Sequence, residues 1–432
     1  MKILFISDFD GTINKRDLSE ELAVVVKQYP DLQDKISQGK IGIPEIYRRL
    51  FNHEGLSAQP LKDFYIEQAV VDEYFTSFLN FIKCYDASHV IMSDGFDTFI
   101  EGVLKKAGID ESIPIFANKI TDYDNRVTID FPYSSKECDL CGVCKLDILK
   151  AMKPYFDRVI YIGNGLSDTC AVKDADIVFA HSTLKTYCND NKIPAFYYND
   201  YRDIINRLKK PVKGIIFDLD GTLIDSYGPI YESFNYAMRK LNLPEYSYEA
   251  VLKTIGLPIE DVMSGIKGIE DIDSAIMLFR ENYEKIYLDR TVLLKDVKET
   301  LSRLYNEGYI MAVSTNKRGE SARNLMKKLG IYKYLKYVIG IGDGLKGKPY
   351  PDTVERIIKE LNLEREQTVY VGDSTIDIET ARNAGIDVIS MATGPADFKE
   401  LAQAEPDLVI DRLNKLPLFV KPMGDYRIKT DS

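Results

Sequence analysis

The sequence predicts an α/β protein of two modules in tandem, each a doubly wound parallel sheet with a long helical segment inserted after its first motif. Three observations predict it. A pentapeptide occurs twice, as DFDGT at residues 8–12 and DLDGT at residues 218–222. Apolar runs of strand length alternate with stretches of helical spacing in both halves, the pattern of parallel strands buried between helices. Four polar motifs then recur in one order in each half of the 432 residues, as two copies of one layout would give.

In the first half the run KILFIS leads into Asp8, and helical spacing, as in SEELAVVVKQY, fills roughly the next seventy residues. The next strand, in HVIMSDG, ends at Ser93; Lys145 follows in the turn-rich CGVCK; VIYIGNGLSD brings Asn164 and Asp168. In the second half KGIIF leads into Asp218, and a helical segment at about residues 223–295 includes YESFNYAMRKLNL. YIMAVSTNK then carries Thr315, KGKPYPD carries Lys348, and TVYVGDSTID carries Asp373 and Asp377. Counterparts lie 210 (8 to 218), 222 (93 to 315), 203 (145 to 348) and 209 (164 to 373) positions apart, so order is kept while loops differ. The charged, Pro-containing NRLKKPVKG marks the boundary and predicts modules at residues 1–209 and 210–432.

Polar groups at the carboxyl ends of parallel strands converge on one crevice. In the second half Asp218 and Asp220, two apart at a strand end, start on the same side. With Asp373 from another strand they make an oxygen-rich site suited to Mg2+, and Asp377 could order the waters of that ion. Lys348 and the ion would neutralise a phosphoryl group, held by Thr315 and by backbone N–H groups near Gly221 and Thr222. Asp218 could attack phosphorus while Asp220 protonates the leaving oxygen and later activates water.

The order of DxDGT, hydroxyl, lysine and Gly-Asp-x3-Asp resembles the haloacid dehalogenase superfamily of phosphatases over nearly the whole chain. The resemblance implies a Rossmann-like fold in which the helical segments at about residues 13–88 and 223–295 are mobile caps, and Mg2+-dependent hydrolysis of small phosphorylated metabolites through a phosphoaspartate. Dehalogenation is not implied, because dehalogenases of that superfamily lack the second Asp, present here as Asp10 and Asp220. FDLDGTLIDS, TIGLP, STNKRGESARNLMKKLGI, GKPYPD and VGDSTIDIETARNAG resemble the phosphoglycolate phosphatase branch, with the β-phosphoglucomutases as the alternative. There Asp218 would be nucleophile, Asp220 acid/base, Thr315, Asn316 and Lys348 phosphate clamps, and Asp373 and Asp377 would join the first two around the metal. IFANKITDYDNRVTIDFPYSSKECDLCGVCK and DADIVFAHSTLKTYC resemble the methionine-salvage enol-phosphate and phosphocholine/phosphoethanolamine phosphatases. The corresponding roles fall on Asp8 and Asp10 (catalysis), Ser93 and Lys145 (phosphate) and, for metal, Asp8, Asp10, Asn164 and Asp168. Asn164 departs from the usual Asp, which lowers the expected metal affinity and leaves open a first module that is a scaffold or regulator.

A net charge of −11 argues against a general nucleic-acid or anionic-membrane partner. No apolar run reaches membrane-spanning length and no signal peptide is evident, so a cytosolic (cytoplasmic) protein is expected. Six cysteines, all in the first half, are expected as thiols. Cys138, Cys141 and Cys144 have zinc-like spacing but are one ligand short, and a plain loop is the simpler reading.

Overall fold

The structure, a computed structural model, describes residues 2–18, 42–51, 57–109, 112–123 and 126–421. The stretch SEELAVVVKQY, expected in the first cap, lies outside these residues. The chain forms two compact units that part between Lys209 and Lys210.

The first unit is built on β1 (Ile3–Ser7), β2 (Ala87–Phe96), β3 (Ile115–Tyr123), β4 (Arg126–Asp130), β5 (Arg158–Gly163), β6 (Ile177–Ala180) and β7 (Phe196–Tyr197). They form one sheet in the order β4-β3-β2-β1-β5-β6-β7. All neighbours are parallel except β3 and β4, a hairpin. In β1 and β5 every residue is buried, which is why the central strands read as unbroken apolar runs.

The second unit contains β8 (Gly214–Phe217), β9 (Ile224–Asp225), β10 (Val292–Leu293), β11 (Ile310–Arg318), β12 (Tyr337–Ile341), β13 (Thr368–Gly372), β14 (Asp387–Met391) and β15 (Leu408–Ile410). Its main sheet, wholly parallel, runs β12-β11-β8-β13-β14-β15. That is the order β3-β2-β1-β5-β6-β7 of the first unit, strand for strand.

The antiparallel ribbon β9–β10 carries the chain out to the second unit's cap and back. Helices Tyr227–Lys240 and Ile272–Arg290 pack there around Phe234, Met238, Met263 and Ile276, a core of the cap's own. In the first unit the corresponding pairing is a single bridge between Asn14 and Val71. Beyond it, helix Phe75–Ile82 does not belong to a cap, although it falls inside the span 13–88. Its Phe75, Phe78, Leu79 and Ile82 are buried, and Phe78 meets the ring of Phe5 on β1 edge-on at 5.3 Å. The apolar face that suggested a cap helix is buried against the sheet instead.

His89 on β2 lies against Phe75 and Phe78, with its Nε2 2.9 Å from the Ser7 hydroxyl. Burial holds its pKa down to about 3. The unfolded chain therefore takes up a proton near pH 6.5 that the folded unit refuses, so stability falls as pH drops through that value. Between about pH 6.5 and 3 the expected loss is at most about 1.4 kcal/mol per pH unit from this group. Urea denaturation at stepped pH checks it: His89→Asn should flatten the acid limb, and an unchanged limb would rule the group out.

Candidate active sites

The turn after β8 sets the second unit's site. Gly221 has φ +85°, and a Cβ there would come 2.2 Å from Asp373 Oδ2, so only glycine fits. Thr222 donates its hydroxyl to Asp373 Oδ1 at 2.8 Å, tying the pentapeptide to the end of β13. Asp218, just past β8, is 2.7 Å from Lys348 Nζ, which is also 2.6 Å from Asp377. Burial alone would lower the lysine's pKa, but the two carboxylates raise it, so it stays charged. Burial, countered by Lys348 and reinforced by Asp377 and Asp220, pushes Asp218 up to about 7. Burial, Asp218 and Asp377 raise Asp373 as well.

Asp220 accepts from the hydroxyl of Ser226 and lies 2.9 Å from Lys317 Nζ. Lys317 in turn donates to the Tyr283 hydroxyl, on the cap helix, at 2.7 Å. Thr315 is buried, and its Oγ1 accepts the N–H of Lys317 at 3.2 Å. It stands where the pairing of β11 with β12 shifts register, a local bend that re-aims side chains. Asp218, Asp373 and Asp377 are, among the described residues, the group of carboxylates close enough to share a cation.

The first unit repeats this arrangement. Lys145 Nζ is 2.9 Å from Asp8 and 2.6 Å from Asp168. Burial and Asp168 raise the Asp8 pKa against the pull of Lys145. Ser93, in the register shift of β2 against β3, accepts the N–H of Gly95 at 3.0 Å. Asp10 accepts from Asn14 at 3.1 Å and from the Tyr65 hydroxyl at 2.6 Å, so a neutral phenol stands on the acid where the second unit has a lysine. Thr12 donates to Asn164 Oδ1 at 3.0 Å. A Cβ on Gly11 would meet Asn164 Nδ2 at 2.1 Å. Nδ2 therefore occupies the station that Asp373 Oδ2 holds in the second unit.

Four sequence expectations change in detail. The N–H groups of Gly221 and Thr222 are consumed by their own turn, donating to Ile224 and Leu219, so they do not cradle a phosphate. Asn316 has both ends of its amide engaged, by the carbonyls of Gly256 and Lys348 and by the Lys348 N–H, so its side chain braces the lysine loop. Asp377 accepts Lys348 on one oxygen and the Ser374 N–H and hydroxyl on the other. Asp168 likewise takes Lys145 and Tyr161 on one oxygen and two backbone N–H groups on the other. Both acids hold the lysine and start the following helical turn before they could ligate a metal. Asn164 offers its oxygen to Thr12 and turns an N–H2 where a metal-binding oxygen was expected. All six cysteines are free, and Cys138, Cys141 and Cys144 do not gather with a fourth ligand among the described residues.

Sequence reasoning missed Lys317, Tyr283, Tyr65 and Asp94. Lys317 was within reach, as the last residue of STNK. Asp94, half-buried beside Ser93, accepts the Val143 N–H at 2.8 Å and so anchors the loop that delivers Lys145.

Such a strand edge neutralises an anionic group and sets a carboxylate against it, the task of a phosphatase. A family model described as Haloacid dehalogenase-like hydrolase matches residues 215–391, and one described as "Putative Phosphatase" matches residues 3–192. A Caldanaerobacter subterraneus protein named "Putative pyrophosphatase PpaX" is 33% identical over 49% of this chain and 95% of its own length. The phosphoglycolate phosphatase of Salmonella typhimurium is 30% identical over 51% of this chain and 98% of its own length. A crystal structure from Haemophilus somnus, titled "predicted phosphoglycolate phosphatase", is 29% identical with a TM-score of 0.45, over 48% of this chain and 96% of that one. The chain belongs to the haloacid dehalogenase-like hydrolases. It is an enzyme, a phosphoric monoester hydrolase. Among the described residues no helix is long and apolar enough to cross a membrane.

Proposed function

We propose that the second unit hydrolyses small phosphorylated metabolites through a phosphoaspartate on Asp218, with Mg2+ as its cation. The first unit would run the same chemistry on Asp8 with a weaker hold on metal. The observation that carries this reading is Lys348, buried between Asp218 and Asp377 at 2.7 and 2.6 Å. It is a fixed charge beside the attacking oxygen. Asp218 would displace the alcohol from phosphorus while Asp220 gives it a proton. Asp220 would then take a proton from the water that cleaves the aspartyl phosphate. Lys348 and the Thr315 hydroxyl would hold the phosphoryl oxygens.

The donor set fits a hard divalent ion. Four acids (Asp218, Asp220, Asp373, Asp377) face two lysines (Lys317, Lys348), so with every group ionised two negative charges are in excess (4 − 2). Asp218 and Asp373 would hold the ion, which supplies the positive charge that lets a phosphate approach these acids. Added to chelator-treated protein at pH 7, Mg2+ should restore phosphate release and expel protons held by Asp218 and Asp373, whose pKa values burial and crowding raise. Full turnover in excess chelator would defeat the metal reading.

The same bookkeeping makes the first unit the weaker site. Asn164→Asp should place an oxygen where Nδ2 now stands and lower the Mg2+ needed for Asp8-dependent release on the order of ten-fold. The scaffold reading, which the amide favours, predicts no Asp8-dependent release from either version. Release against Mg2+ concentration in an Asp218→Asn background separates the two.

A further inference from the structure

The second unit's site opens into a cavity between its sheet edge and its cap, about 920 Å3 of space free of atoms with the open mouth included. Asp218, Asp220, Thr315 and Lys348 line one part of it. Much of the rest of the wall is apolar: Ile230, Leu257, Ile259, Val262, Phe279 and Ile341. None of these six is fully buried, and Leu257 is 43% exposed, so apolar surface on this wall is left to water. Covering it with an apolar ligand is favourable, at roughly 25 cal/mol per Å2.

The charges on the wall point the same way. Beside Lys348 three cations line the cavity. Lys317 is held by Asp220 at 2.9 Å and hydrogen-bonded to Tyr283. Arg280 is paired with Glu260 at 3.0 Å. Arg318 is exposed, and Glu284 on the same wall carries the opposite charge and accepts the Ser321 hydroxyl at 3.0 Å. A second anionic group placed a bond or two from the phosphoester would meet Lys317, whose charge Asp220 already satisfies. It would have to displace that pair and lose its own water.

We infer that the second unit selects phosphomonoesters whose alcohol is uncharged and largely apolar. This rests on the hydrolase reading of the same site and narrows it to a substrate class. The cap wall then recognises the leaving group by apolar contact, and the sheet edge recognises the phosphate.

The test compares primary alkyl esters, so that leaving-group chemistry is held close: hexyl phosphate, 2-phenylethyl phosphate, glycerol phosphate and 2-phosphoglycolate. The full chain is assayed with and without Asp218→Asn, and the Asp218-dependent kcat/KM is read. The expected result is at least about ten-fold higher kcat/KM for the two apolar esters than for 2-phosphoglycolate, in line with the discrimination a few methylenes give. Leu257→Arg, at an exposed position, should shrink that ratio several-fold by bringing a cation to the wall. A wild-type ratio at or below one, or a ratio unmoved by Leu257→Arg, overturns the inference and leaves the hydrolase reading intact. If no ester shows Asp218-dependent release, the hydrolase reading of this site fails and the inference falls with it.

Discussion

Asp218→Asn should cut the second unit's phosphate release by about 10^4-fold while the protein stays folded. The loss is large because an amide cannot form the acyl phosphate, and no neighbour can take over. Asp373 is tied to Thr222, and Asp220 is tied to Ser226 and Lys317. Loss of a nucleophile that works as one unit with its neighbours costs factors of this order. The fold should survive because Lys348 keeps Asp377 at 2.6 Å, and because one of three crowded acids becomes neutral. An Asp8→Asn background removes any contribution from the first unit. Melting followed by circular dichroism guards against trivial unfolding. Release within ten-fold of the parent would end the assignment of Asp218 as nucleophile.

Lys348→Met is expected to have the largest effect on stability. It leaves Asp218 and Asp377 buried with no cation between them, and breaking a buried pair from one side costs about 3–5 kcal/mol. The deficit should shrink as pH falls. The folded-state pKa of Asp218 is raised, to about 7 even with the lysine present, so the acid gains a proton readily below that and ceases to be an uncompensated charge. Urea denaturation at pH 7.5 and 5.5 reads both the loss and its pH dependence. A loss below about 1 kcal/mol at pH 7.5 would mean that the lysine is not what makes these buried acids tolerable. Lys145→Met should behave alike in the first unit, where Asp8 and Asp168 are left.

Much of the sheet was legible because its central strands are buried on both faces, so that ILFIS and GIIF carry their position in composition alone. The acids and hydroxyls of the site were legible because they lie within five residues of a strand's carboxyl end, whereas Lys145 and Lys348 stand further out, in turn-rich loops. What escaped was set by distance or by the backbone. Tyr65 reaches Asp10 across 55 positions, and Tyr283 reaches Lys317 across 34, with no local pattern to announce either. The use of the Gly221 and Thr222 N–H groups inside their own turn, and of the Asn316 amide on Lys348, depends on where carbonyls lie. The helix at residues 75–82 has an apolar face that suits a cap or a sheet equally, and only its packing on Phe5 decides.

The clasp between Lys317 and Tyr283 would give the cap a chemical voice in each turnover under the proposed mechanism. Lys317 sits on β11, in the sheet, while Tyr283 rides on helix Ile272–Arg290, in the cap, and β9–β10 is the ribbon between them. A hinge at the ribbon that lifts the cap must pull the phenol from the lysine that faces Asp220. Under the proposed mechanism, letting the alcohol out and resetting the surroundings of Asp220 would be one motion. The pace of the enzyme would follow the friction on that door, slowing in viscous solvent even when the chemistry at phosphorus is unchanged.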